Sequence, residues 1–208
     1  MPDWNKAYAG AQRPLFGDEP TDFVRAVVER SEFQCRTALC LADGDGRIGR
    51  WLAQQALAVS AIDISDEATR QAIAKDRQCG VTVERTTADL AHWRPTTAQT
   101  WDAIFVIFLQ CEAEVRHAAI GRASQHLRPN GWLVVEGFAG GPSGRTTIGP
   151  KDPNLLYDLG ELRSSCVGLS VHEARVDEIR LNEGVRHQGS ARVVRFIARR
   201  PVDASPLT

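Results

Sequence analysis

TALCLADGDGRIGRWLAQQALAVSAIDIS, Thr37 to Ser65, decides the fold. Thr37–Ala42 is a short apolar run of the kind a buried parallel strand shows, Asp43–Arg47 is rich in glycine, and Ile48–Ala56 carries apolar residues at helical spacing. Leu57–Ile62 is a second apolar run, and it ends at Asp63. The stretch therefore reads strand, tight turn, helix, strand: a βαβ unit whose second strand delivers a carboxylate about 20 residues beyond the first glycine. Gly44 and Gly46 carry no Cβ, so the chain can turn sharply at the carboxyl end of the first strand and a ligand can approach the main chain. The helix that follows points its free N–H groups back at the bend, which favours a carboxylate or phosphate there. Asp63 is placed to accept hydrogen bonds from two ribose hydroxyls. Together these features lay out a site for an adenosine-bearing cofactor.

Three ligands compete for the loop. Gly44-x-Gly46-x-x-Gly49 satisfies the dinucleotide fingerprint, which points to an NAD(P)-dependent or flavin oxidoreductase. Asp43-Gly44-Asp45-Gly46 imitates a calcium loop, but Leu41 stands where the first ligand should be and Leu52 where the bidentate glutamate should be, so that reading fails. The third ligand is S-adenosylmethionine, which has no pyrophosphate but carries ammonium and sulfonium charges. Asp43 and Asp45 beside the loop suit those positive groups and would repel a pyrophosphate, and on this sign argument the sulfonium cofactor leads.

The 208 residues, 43% hydrophobic and 25% charged, suit one soluble domain over residues 1–208 with a full core. A net charge of -1 gives no electrostatic case for nucleic acid as a partner. No apolar run is long enough to span a bilayer, and MPDWNKAYAG lacks the blocks of a signal peptide, so the expected location is the cytoplasm. Five scattered cysteines without Cys-x-x-Cys spacing indicate neither a disulfide framework nor a zinc site, and no metal is expected.

Residues 1–20 form an arm bearing Trp4, Tyr8 and Phe16, either a tail or a lid over the cofactor, and Thr21 or Asp22 caps a helix through Val24, Val27 and Val28. Ser65 caps a helix from Asp66 to about Gln78, and Gly80 breaks it. Val81-Thr82-Val83 is a brief third strand leading to Thr87-Ala88-Asp89-Leu90, where Asp89 either caps a turn or accepts from the amine of adenine. Trp101-Asp102 opens the strongest strand, Ala103–Leu109, apolar throughout and therefore central. Ala113–Leu127 reads as a helix, Arg128–Gly131 as the turn that stops it, and Trp132–Val135 as the fifth strand, delivering Glu136-Gly137-Phe138. A long Gly/Pro-rich loop, Ala139 to Pro153, carries Arg145 and Lys151, and Leu155–Val167 is a further helix. Ser170–Leu181 and Ser190–Arg199 are strands joined without a helix, so they must be antiparallel. Val202 to Thr208 is a tail. The expected fold is α/β: a doubly wound, Rossmann-like, seven-stranded sheet, mostly parallel, with an antiparallel C-terminal hairpin strand. A nicotinamide-binding domain would keep six parallel strands.

ADGDGR before a helix, AIDIS, TADL, WDAIFVIFLQ, LRPNGWLVVEGF, GPKDPNLLYDLGELR and EGVRHQGSARVVRFIARRP together resemble the class I S-adenosylmethionine-dependent methyltransferases, in the branch of the tellurite-resistance and thiopurine or thiol enzymes. The resemblance implies S-adenosyl-L-methionine as cofactor and a small-molecule substrate, a thiol or chalcogen oxyanion. It places Gly44, Gly46 and Arg47 along the methionine moiety and Asp63 at the ribose. It also places Ile64 and Leu90 on the faces of adenine, Asp89 at its amine, and Val106, Ile107 and Phe108 at the sulfonium end. Ala42, Asp43 and Ala88 fall in the same loops. Three positions depart from the family: Cys40 stands where many members have an acid, Ala42 where many have a glycine, and Gln110 where tellurite-type relatives often have histidine. These departures keep open a protein that binds the cofactor without catalysis.

Methyl transfer from a sulfonium expels a neutral leaving group, so the protein mainly aligns acceptor, methyl and sulfur and excludes water. A thiolate or oxyanion needs little else, whereas a protonated acceptor needs a base. His187, read as part of a hairpin loop, is the candidate base, and Arg186 the candidate anchor for an anionic substrate. The plain alternative is a solvated turn in which Glu183 pairs with Arg186. Tyr8 is a third candidate for chemistry. His92, His117, His126 and His172 show no ligand spacing.

Overall fold

The computed structural model describes residues 2–141 and 148–202. Arg145 and the tail beyond Val202 lie outside the described residues. Seven strands make one sheet in the order β3-β2-β1-β4-β5-β7-β6. They are β1 (Thr37–Leu41), β2 (Ala58–Asp63), β3 (Val83–Thr87), β4 (Trp101–Ile107), β5 (Leu127–Phe138), β6 (Ser170–Glu183) and β7 (His187–Arg199). β1 to β5 are mutually parallel, and β7 runs antiparallel to both β5 and β6. The order reverses between β1 and β4, which opens a crevice at their carboxyl tips.

Among the described residues there are six α-helices, α1 (Trp4–Ala9), α2 (Asp22–Val28), α3 (Arg47–Gln54), α4 (Asp66–Gln78), α5 (Ala113–Ser124) and α6 (Leu159–Ser165), and one short 3-10 turn at Pro153–Leu155. The Thr21 side chain caps α2 at Val24 and the Ser65 side chain caps α4 at Ala68, as the sequence predicts. β4 is buried on both faces. Ile104 and Val106 join one core layer with Ile120 of α5, while Ala103, Phe105 and Ile107 join the other with Val24, Ile48 and Leu52 of α2 and α3. Two buried faces explain why its sequence is apolar without alternation.

Several boundaries move. The third strand starts at Val83 rather than Val81, because the Val81 N–H is spent on the carbonyl of Asp76 at the end of α4 (3.0 Å). Arg128–Gly131 is a bulge within β5 instead of a turn before it: Trp101 pairs with Leu127 and Ala103 with Trp132, and the four residues between loop out opposite Asp102, with Asn130 at φ 65. Leu127 therefore belongs to the strand, and α5 stops at Ser124. The last helix starts only at Leu159, capped by the Asp158 side chain. The hairpin strands run further than expected, to Glu183 and from His187, so His187 stands in a strand and not in a loop.

Candidate functional site

The turn after β1 is held by its neighbour. Ala42, Gly44 and Gly46 take φ of 56, 56 and 89, the left-handed region in which glycine is unstrained. The Gly44 N–H donates to Asp63 Oδ2 and the Ser65 N–H to Asp63 Oδ1, each at 2.8 Å, so one carboxylate at the tip of β2 fastens both loops. Burial pushes the Asp63 carboxyl up to about 6, against the pull of those two N–H groups. At the next tip, Asp89 Oδ1 accepts from Ala91 N (2.8 Å), and the Asp89 carbonyl accepts from Trp93 N (2.8 Å). Asp89 thus caps its turn and also faces the crevice.

The crevice encloses a cavity of about 210 Å³. Ten of the residues expected at the cofactor line it: Ala42, Asp43, Gly44, Arg47, Asp63, Ile64, Asp89, Leu90, Ile107 and Phe108. Ile64 is 41% exposed, a large apolar side chain open to the cavity. Trp4, Tyr8 and Phe16 of the arm line the cavity as well. Asn5 Oδ1 accepts from Ser65 Oγ (2.7 Å), and Gln71 Nε2 donates to the Tyr8 carbonyl (3.1 Å), so α1 is docked on the start of α4. The arm also meets the hairpin tip, where Arg186 N donates to the Leu15 carbonyl (2.8 Å) and Val185 N to the Pro14 carbonyl (3.2 Å).

Three expected positions are not on the wall. Val106 is fully buried in the core. A Cβ at Gly46 would press on Ala72 at 2.9 Å and on the Arg85 guanidinium, so Gly46 faces α4 and β3. Ala88 packs on the core, its N–H donating to the Asp63 carbonyl (2.8 Å).

The sign argument needs correction too. Asp43 Oδ2 is paired with Arg85 Nη1 at 2.8 Å, and Asp45 Oδ2 with Lys75 Nζ at 2.7 Å, so neither acid offers a free charge to a ligand. What excludes a pyrophosphate is instead steric and electrostatic. Asp43 Oδ1 accepts from the N–H of Gly49, in the first turn of α3, at 3.0 Å, so a carboxylate of the protein already occupies the anion position at that helix end. A Cβ at Gly49 would strike that carboxylate, which accounts for the third glycine of the fingerprint without any nucleotide.

The residues considered for chemistry separate. Tyr8 lies with its hydroxyl over Gly44, where a Cβ would overlap it, and burial together with Asp63, Asp45 and Asp43 pushes its phenol well above the ordinary range. A phenol held protonated in this way is not poised as a base. Arg186 lies outside the cavity with its guanidinium 5.6 Å from the Trp4 ring centroid. Glu183 pairs not with Arg186 but with Arg47, at 2.7 Å, and with His187 Nδ1, at 3.4 Å. His187 is buried and off the cavity wall. The sequence reading missed the far wall, Leu109, Cys111, Glu112 and Val115, and knew Gln110 only as a departure from the family. The signal was present, since these residues directly follow the central strand at the switch point.

The far wall is fixed from behind. The Tyr157 hydroxyl donates to the Leu109 carbonyl (3.0 Å), and its ring stacks under the Arg116 guanidinium, 4.2 Å from the centroid. A Cβ at Gly137 would overlap that ring. Gly137→Ala is expected to destabilise the protein by about 1–3 kcal/mol by overpacking, measured by urea unfolding.

The Asp63 shift gives a pH dependence. The ribose contact expected of Asp63 needs the ionised carboxylate, which dominates above the pKa of about 6 in the empty protein. Affinity for S-adenosylhomocysteine should fall roughly tenfold for each pH unit below that value, read by calorimetric titration. Because the folded pKa is raised, this group stabilises the empty fold as pH falls from about 6 towards 3.8, so the lost affinity runs against the stability trend.

Strand order, the reversed strand beside the edge and carboxylate-tipped loops around one crevice define a doubly wound α/β fold with a pocket at its switch point. Residues 38–131 match the family described as a methyltransferase domain. No curated protein matches the chain in sequence. Among solved structures, one described as "Conversion of a Disulfide Bond into a Thioacetal Group during Echinomycin Biosynthesis" aligns with TM-score 0.75 at 17% identity, over 97% of this chain and 92% of that one. TehB from Haemophilus influenzae aligns with TM-score 0.67 at 15% identity, over 86% of this chain and 61% of that one. Magnesium protoporphyrin IX methyltransferase from Synechocystis PCC 6803, solved with bound SAH, aligns with TM-score 0.59 at 17% identity, over 86% and 79%. Residues 38–131 thus carry the methyltransferase-domain match, and the fold of the chain is that of the methyltransferase structures it aligns with.

Proposed function

We propose that the protein transfers the methyl group of S-adenosylmethionine to a small apolar molecule, and that the acceptor atom is a thiol sulfur in preference to a chalcogen oxyanion. The carrying observation is the charge of the wall. Asp63, Asp89 and Glu112 line the cavity beside Asp43 and Asp45, which Arg85 and Lys75 neutralise, and Arg47 is the one Lys or Arg among the described lining residues. Arg47 is already committed to Glu183 and, at 2.6 Å, to the Phe16 carbonyl. An oxyanion would lose its hydration there and gain no free cation, whereas a sulfonium is favoured. Sulfur chemistry in the structural relative that converts a disulfide bond into a thioacetal group supports the same choice of acceptor.

In this reading Asp63 holds the ribose, Ile64 and Leu90 sandwich the adenine with Asp89 at its edge, and Ala42, Asp43, Gly44 and Arg47 border the methionine portion. Ile107 and Phe108 face the sulfonium, and Tyr8 and Phe16 close the cavity against water. The cofactor supplies an electrophilic methyl on a neutral leaving group, and the protein's part is alignment and dryness. Among the described residues, no helix is long and apolar enough to cross a membrane, and no group of three or more His, Cys, Asp or Glu is placed to hold a metal ion. We place the activity in the cytoplasm, on a free small molecule and not on nucleic acid, within one domain over residues 1–208. Transfer of labelled methyl to a panel of thiols, with tellurite alongside, tests the proposal: label in thiols is expected, and label in tellurite alone would reverse the choice of acceptor.

A further inference from the structure

His187 lies one layer behind the cavity wall, at the start of β7, and is 1% exposed. Three phenylalanine rings enclose it, with centroids at 4.5 Å (Phe108), 4.8 Å (Phe16) and 5.4 Å (Phe138). Its Nδ1 faces Glu183 Oε2 at 3.4 Å, and Glu183 is anchored in turn by Arg47 at 2.7 Å. Its Nε2 is buried with no hydrogen-bond partner. A buried polar atom without a partner is destabilising and asks for a reason. With the Nδ1 proton directed at Glu183, the Nε2 lone pair points into the phenylalanine box.

The box shares two residues with the cavity wall, Phe16 and Phe108. Phe108 stands between the two spaces at the tip of β4, with φ 54 and its N–H donating to the Glu136 carbonyl at 2.6 Å. A bulky residue in the left-handed region is strained, and such strain collects where a side chain must be aimed or must switch. Turning the Phe108 ring aside would join the sulfonium end of the cavity to His187.

We infer that the box of Phe16, Phe108 and Phe138 is the methyl-acceptor subsite, closed here by the Phe108 ring, and that a neutral apolar thiol entering it yields its proton to His187 Nε2. The inference rests on the reading of the adjoining cavity as the cofactor's. Aromatic walls favour an aryl or other apolar thiol and desolvate it, which raises its pKa, so the nucleophile must be made inside by a base. The S–H bond breaks and the proton passes to Nε2. A sulfur lone pair then forms the new S–C bond while the methyl leaves the sulfonium, whose C–S electron pair stays behind on a neutral thioether. One positive charge disappears at the cofactor and one appears on the imidazolium, beside the carboxylate of Glu183. Burial holds the His187 pKa below its ordinary value, with Glu183 opposing and Arg47 assisting, so the ring is neutral and ready at pH 7.

The test compares wild type with His187→Gln, using 1-hexanethiol as an aliphatic thiol that is neutral at pH 7, and pentafluorothiophenol, which is already ionised there. General-base loss predicts a fall in kcat of roughly 100-fold or more for the aliphatic thiol, a much smaller fall for pentafluorothiophenol, and affinity for S-adenosylhomocysteine within about twofold of wild type. An equal loss with every acceptor would mark a structural role and overturn the base assignment, as would no loss at all. A second measurement needs no variant: adding 4-chlorothiophenol to wild type loaded with S-adenosylhomocysteine should shift the imidazole nitrogen resonances of His187. If the cofactor product binds but those resonances stay fixed and no thiol is methylated, the subsite is overturned and the methyltransferase reading stands. If the product does not bind, the cofactor cavity falls and the subsite with it.

Discussion

Replacing Arg85 with leucine is expected to cost the fold about 3–5 kcal/mol, the largest stability effect of any single change proposed for this protein. Arg85 stands on β3 with its side chain only 3% exposed, between Asp43 and Asp76, whose side chains are 2% and 6% exposed. It meets Asp43 through Nη1 at 2.8 Å and Asp76 through Nε at 2.6 Å and Nη2 at 3.0 Å. Its removal would strand two carboxylates in the interior beneath the glycine turn. Burial already pushes the Asp43 carboxyl up against the pull of Arg85, and without the guanidinium it would rise further. Groups whose folded pKa is raised destabilise most when ionised, so the deficit should be full at neutral pH and shrink as pH falls through those folded values. Urea unfolding near pH 7 and near pH 5 checks both the size and the sign. A deficit that stays constant with pH would mean that the freed carboxylates are not what destabilises the variant.

Replacing Asp63 with alanine is expected to weaken binding of S-adenosylhomocysteine by about 1–3 kcal/mol, roughly 5- to 150-fold, and to abolish the loss of affinity below pH 6. Two effects add. The ribose loses a charged acceptor, and the Gly44 and Ser65 N–H groups lose the carboxylate that fastens the tips of β1 and β2. Calorimetric titration of both proteins across that range reads each effect. An affinity equal to wild type would show that the ribose lies elsewhere.

The architecture was legible because it rests on short-range signals. A βαβ unit with glycines at the bend, an apolar strand without alternation and two consecutive strands without a helix are local patterns that fix strand direction and the switch point. Caps at Thr21 and Ser65 were legible for the same reason. Val81 and the Arg128–Gly131 bulge were not, since what decides them is whether a neighbouring strand has a partner in register, which spacing does not encode. The site divides along the same line. Asp63, Asp89 and Gly44 are placed by strand ends, whereas the neutralisation of Asp43 and Asp45 depends on Arg85 and Lys75, which reach them from 42 and 30 residues away. The third glycine looked nucleotide-specific because its real neighbour, the Asp43 side chain, is visible only in three dimensions. His187 was assigned to a loop because the β6–β7 ladder extends past the point where alternation fades, up to the Glu183–His187 pair.

A crystal structure of the complex with S-adenosylhomocysteine tests the central placement most directly. The account predicts ribose oxygens on the Asp63 carboxylate, adenine between Ile64 and Leu90, and the sulfur facing Phe108. A ligand bound elsewhere, or a ribose turned away from Asp63, would contradict it.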